Sequence, residues 1–104
     1  MRFGRSPFRD VIDRQLDLFV RDHDDVIEEA NERFRLYSAA GRDEAEELYG
    51  DYLDAVETGT EILADLRDHF AQSLTESDAD RYRADFDRAV RKRLPAYALE
   101  IENR

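Results

Sequence analysis

Apolar residues recur along almost the whole chain in alternating steps of four and three. Ile12, Leu16, Phe19, His23, Val26 and Ala30 form one such series, and Val20, Ile27 and Phe34 widen it with a stripe spaced by seven. This is the broad apolar face of a bundle helix. Ser6 is placed to cap it, and Pro7 suits the first helical position, where a missing N–H costs nothing. The pattern reaches Tyr37 and stops at Gly41, a natural C-terminal breaker. A second series runs through Ala45, Tyr49, Tyr52, Val56, Gly59, Leu63, Leu66, Phe70 and Ser73, with Leu48, Ala55 and Ile62 on its flank. Asp43 followed by Glu46 resembles a capping box at its start. After a break over Thr75 to Asp78, Ala79, Tyr82, Phe86, Val90, Leu94, Tyr97 and Ile101 continue the rhythm. Pro95 is expected to kink or end that last helix, because it removes a backbone donor.

The spacing predicts an all-α chain forming one helical domain over 1–104: helix 1 at about 7–39, helix 2 at about 43–74, and helix 3 at about 78–101 with a kink or break near Pro95. Helices 1 and 2 form a long antiparallel hairpin, and the shorter helix 3 completes a three-helix up-down-up bundle. A turn centred on Gly41 pairs residue i with about residue 82 − i, so that Ile12 meets Phe70, Leu16 meets Leu66, Phe19 meets Leu63 and Val26 meets Val56. Each long helix would extend about 48 Å and the third only about 36 Å. The far tip of the hairpin is therefore expected to lack a third layer.

Charge sharpens this picture. Acidic residues number 26 against 16 Lys and Arg, a net charge of −10. Leu, Ile, Val and Phe total 25 of 104 residues, enough to expect a folded core despite that charge. Between Asp22 and Glu61, the tip half of the hairpin, fourteen acids face three bases, a net −11, while the remainder has twelve acids and thirteen bases. Arg2, Arg5, Arg9, Arg14, Arg81 and Arg83 are expected at the opposite pole. Phe34, Tyr37, Tyr49 and Tyr52 fall in the acidic half, either packed across the seam or partly exposed to a partner.

Several chemistries are disfavoured. With no cysteine there is neither disulfide nor thiolate chemistry. No apolar run approaches the ~20 residues needed to span a bilayer, and Met1 to Asp10 is basic without an apolar core, so no signal peptide is expected and a cytoplasmic address follows by default. Nucleic-acid binding is disfavoured by the charge; the basic run Arg88, Arg91, Lys92 and Arg93 is interleaved with Asp85 and Asp87. His23 sits at a core position with Gly59 as its register partner, a pair that marks either ordinary packing or a small pocket, and Gly59 makes room for the imidazole or for a helix 3 residue near Leu94. His69 falls near Asp65 and, across the hairpin, Asp13, and it lies too far along the axis from His23 to share a metal. No phosphate loop, nucleophile elbow or zincin motif occurs, and no catalytic residue, metal or cofactor is expected.

The stretch "FRDVIDRQLDLFVRDHDDV" is similar in look to the long first helix of the all-helical chorismate mutases, over about twenty residues. Those enzymes need several cations for a dicarboxylate, whereas helix 1 here has no lysine. In size the chain is similar to the small helical-hairpin secretion substrates, but its turn reads "SAAGRDE" where they carry Trp-x-Gly. No residue is carried over from either family. The expected function is that of a non-enzymatic interaction or regulatory protein. It would dock a basic protein partner through Phe34, Tyr37, Glu44, Glu46, Glu47, Tyr49 and Tyr52, with self-association as a homodimer away from the acidic tip, through Val11, Leu18, Ala96, Ala98 and Leu99. The alternatives are a small enzyme or ligand-binding bundle with a pocket at His23 and Gly59, and an acidic mimic of nucleic acid.

Overall fold

The computed structural model describes residues 6–104; Met1 to Arg5, and with them Arg2 and Arg5, lie outside the described residues. The described chain is all-helical: α1 (Arg9–Asp22), α2 (Asp24–Ser38), α3 (Arg42–Ala71), α4 (Glu76–Arg93), a 3₁₀ turn (Pro95–Tyr97) and α5 (Ala98–Glu102). Among the described residues no helix is long and apolar enough to cross a membrane.

The first predicted helix is in fact two. His23 leaves helical geometry at φ −127°, ψ 35°. Its N–H closes α1 on the Phe19 carbonyl, and its own carbonyl accepts from Val26 and Ile27 to open α2. Neither Pro nor Gly causes the break. Asp24 and Asp25 lie in the first turn of α2, where the helix dipole favours acids, while at the end of α1 Arg21 is paired with Asp22 at 2.8 Å. The break frees α1 to lean on α4 while α2 follows α3. Ser6 fixes the other end of α1: its hydroxyl donates to Asp85 (2.6 Å) and accepts from the Phe8 N–H (2.9 Å). The first regular residue is Arg9 rather than Pro7, because the turn at Ser6 takes up the chain before it.

The hairpin exists between α2 and α3, but its register differs from the prediction. Phe34 packs on Tyr52 and Tyr37 on Tyr49, with ring centroids 5.2 and 5.0 Å apart. Each partner lies about one helical turn further along α3 than a turn centred on Gly41 implies. The chain spends Ala39 to Gly41 outside helix, and Gly41, not Asp43, occupies the N-cap position of α3 with no side-chain cap. At the next turn Thr75 does cap, accepting from the Asp78 N–H. Pro95 breaks the last helix as its missing donor requires, leaving α4, the 3₁₀ turn and α5 in place of a single helix 3.

Packing divides the molecule in two. A trunk of α1, α4, the 3₁₀ turn and α5 is built around the second half of α3. Its core is Ile12, Leu16, Phe19, Leu63, Tyr82, Phe86, Val90, Tyr97 and Ile101, each at most 2% exposed. The rest of α3 and most of α2 project as a two-helix tip, and between Asn31 and Ala55 not one residue is buried. The molecule is correspondingly long, 53 × 26 × 23 Å, with a radius of gyration of 15.7 Å; a compact chain of this length has about 13 Å.

Candidate functional site: an aromatic edge on the acidic tip

Four aromatic rings run along the tip in mutual contact. Phe34–Tyr52 and Tyr37–Tyr49 bridge the two helices, while Phe34–Tyr37 and Tyr49–Tyr52, at 6.3 and 6.2 Å, link successive turns of each helix. Cross-seam contact and solvent exposure therefore coexist. Tyr37 and Tyr52 are half-buried, whereas Phe34 is 49% and Tyr49 43% exposed. Leu53, 41% exposed and one turn beyond Tyr49, extends the apolar edge and is absent from the sequence-derived site. Leu53 stands four residues after Tyr49 and three before Val56, on a line beside the predicted seam series Tyr49, Tyr52 and Val56 rather than in it.

Glu44, Glu46 and Glu47 stand in the first turns of α3, fully on the surface, and make no ion pair among the described residues. They are held near the helix N-terminus, where the dipole favours negative charge. Two of the tip's three cations are consumed locally: Arg33 bonds Glu29 (2.7 Å), and Arg35 bonds Glu32, whose carboxyl it holds below the usual range. An acidic groove of about 340 Å³ between α2 and α3 is lined by Glu29, Arg33, Asp51, Asp54, Ala55 and Thr58. The tip thus presents exposed apolar rings and exposed carboxylates on the same two helices.

The trunk holds the other polar features, most of them paired within the protein. A groove of about 300 Å³ between α1 and α4 carries Arg9, Arg88, Lys92 and Arg93. Arg9 faces Asp13 at 3.8 Å, Arg88 bonds Asp85 at 2.8 Å and Arg93 bonds Asp17 at 2.7 Å, so three of these four cations carry an acidic partner and Lys92 has none among the described residues. Arg67 is only 2% exposed. It donates to Asp68 and Asp87, both at 2.8 Å, and to the Ile101 carbonyl at 3.1 Å, tying α5 and α4 to α3. Desolvation pushes the Asp87 carboxyl above its ordinary range even against Arg67. At Asp68 desolvation acts the same way but is outweighed by the hydrogen bonds from Arg67 and Arg83, which bring it below. Arg67 is closed to water while Asp68 and Arg83 stay partly exposed, and the cluster clamps α4 and α5 to α3.

The nearest neighbour of Gly59 is Tyr97 rather than His23. The Tyr97 ring lies against Gly59, so close that a Cβ there would sit 2.5 Å from its Cε1. Gly59 makes room for a residue of the last helix, while half-buried His23 packs on Phe19 at 5.6 Å. Tyr97 also meets Phe19 edge-on at 6.1 Å, and its buried hydroxyl has no hydrogen-bond partner within the described protein. His69 and Asp65 border one shallow concavity without an ion pair. Among the described residues no cluster of three or more His, Asp or Glu side chains is arranged to hold a metal ion. Comparison with protein-family models, with curated proteins and with solved structures finds no match for this chain.

Proposed function

We propose that this chain is a non-enzymatic interaction protein that docks a basic protein partner through the tip of its α2–α3 hairpin. One observation carries the reading: the segment without a buried residue is also the one that exposes Phe34, Tyr49 and Leu53, inside a stretch of net charge −11. Exposed carboxylates alone give steering and little affinity, since each surface pair is worth about 0–1 kcal/mol. Exposed rings supply anchors with little entropy to lose. Together they form an apolar centre with a charged rim. The test is kinetic. Replacing Glu44, Glu46 and Glu47 with Gln should slow association with a basic partner and flatten its salt dependence, while Tyr49→Ala should speed dissociation. Thermal melts run beside the binding separate loss of contact from loss of fold. A partner whose binding neither change affects would sink the proposal.

Self-association is proposed at the trunk, where Leu99 of α5 is 76% exposed next to exposed Ala96, and half-buried Leu18 lies on α1. Leu99→Glu should dissociate a dimer seen by sedimentation; a monomer at millimolar concentration would remove this contact.

A further inference from the structure

We infer that the partner element which occupies the tip is a single amphipathic α-helix, its apolar stripe lying along Phe34, Tyr49 and Leu53 and its Arg or Lys side chains pairing with the carboxylates at either end of that edge. This rests on the proposed function and specifies its ligand. The reason lies in one continuous line on α3: Tyr49, Leu53, Val56, Thr60, Ala64, Arg67 and Ala71, spaced by fours and threes. From Val56 onward every member is buried, and α3 packs against α4, the 3₁₀ turn and α5 as well as α2. The same line continues to Leu53 and Tyr49 and is left 41% and 43% exposed. The tip lacks a third layer over two further turns, and helical elements supply that layer everywhere else. Backbone chemistry favours another helix: the tip's own amides and carbonyls are spent within α2 and α3, so an extended peptide would find no backbone to pair with, whereas a helix brings its hydrogen bonds with it.

Charge selects the helix. Glu46 precedes Tyr49 by three residues and Glu57 follows Leu53 by four, placing an acid at each end of the exposed stretch. The protein already uses this contact once: the Arg104 guanidinium reaches Glu57 at 3.7 Å. A second copy's tip would instead bring together two segments of net −11.

The experiment uses the intact protein and two synthetic peptides of about 14 residues, or ~21 Å of helix. Both contain the same Leu, Ala, Arg and Lys residues. One places Leu at i, i+3, i+4 and i+7; the other scatters them so that no stripe forms. Fluorescence anisotropy measures affinity, and circular dichroism measures helix gained. The striped peptide should bind at least about tenfold more tightly than the scattered one and become helical on binding. Leu53→Glu makes the sign decisive. It adds an acid and removes an apolar contact, so it should weaken the striped peptide although charge alone would tighten it. Equal binding of both peptides overturns the helix while leaving a charge-driven basic partner standing. Binding of neither overturns both readings. A dimer of the protein alone that Leu53→Glu abolishes would assign the edge to a second copy and overturn the inference.

Discussion

Trunk and tip share one helix and differ in almost everything else. Over its second half α3 is buried on a broad face, with Leu63 at 0% and Ala71 at 2% exposure, whereas no residue of its first half, before Val56, is more than partly buried. The helical periodicity is the same on both sides of Val56. What changes is the number of layers. A two-helix ribbon leaves its best-placed rings half in water, and only a third element turns an apolar stripe into a core. Helix-forming pattern and core formation are thus separable in a single element, and the tip should be the first part to open under hydrogen exchange.

The comparison is most easily broken at Arg67. Its guanidinium is the polar centre of the trunk, joining three elements in a water-poor site. Arg67→Ala strands Asp87 and the Ile101 carbonyl, and should cost roughly 3–5 kcal/mol in urea unfolding. A loss below about 1 kcal/mol would mean that α5 is held by its apolar contacts alone.

Alkaline pH attacks the trunk as well. The Tyr82 hydroxyl donates to Gln15 at 2.6 Å, and burial raises its pKa from about 10 to about 12. The unfolded chain loses this proton first, so stability should fall as pH rises through that window, on the order of 2 kcal/mol in all. Tyr82→Phe should flatten the slope. If the slope survives unchanged, Tyr82 ionises without unfolding.

Two glycines inside α3 give the comparison its sharpest form. At Gly59 a Cβ would collide with the buried Tyr97 ring; at Gly50 nothing stands within 4 Å. Gly59→Leu should lose roughly 1–3 kcal/mol through overpacking. Gly50→Ala should gain about 0.5–1 kcal/mol, because only backbone entropy and helix propensity act there. A loss at both sites would show that the tip is packed against something.

How far the sequence reveals this follows from what it encodes. The four-three series encodes faces, so the helices and most of the buried set are legible, as are the break at Pro95 and the uncovered tip. The break at His23 involves neither Pro nor Gly, and an apolar count passes over it. The hairpin register depends on how many residues the turn consumes, and "SAAGRDE" does not state that Gly41 will cap α3. Tyr97 at Gly59 is a contact between residues far apart in the chain; the sequence marks only that some neighbour needs the space. Of the tip edge, the rings are legible by type. Leu53 becomes visible only when exposure is known.

The smallest expected effect falls on Leu53, and it sharpens the comparison most cleanly. Leu53 and Leu63 lie ten residues apart on α3, 41% and 0% exposed. Leu63→Ala removes a side chain from the centre of the trunk and should cost roughly 2–5 kcal/mol, transfer and cavity together. Leu53→Ala removes one that water already reaches, so the change should stay within about 0.5 kcal/mol. The pair controls for residue type and helix, leaving layer number as the variable. Measured by urea denaturation, a large loss at Leu53 would place it in a core formed by self-association, and that loss would then grow with protein concentration. A negligible loss, independent of concentration, leaves Leu53 as a surface residue whose apolar side chain contributes little to holding the fold together and is free to contact a partner.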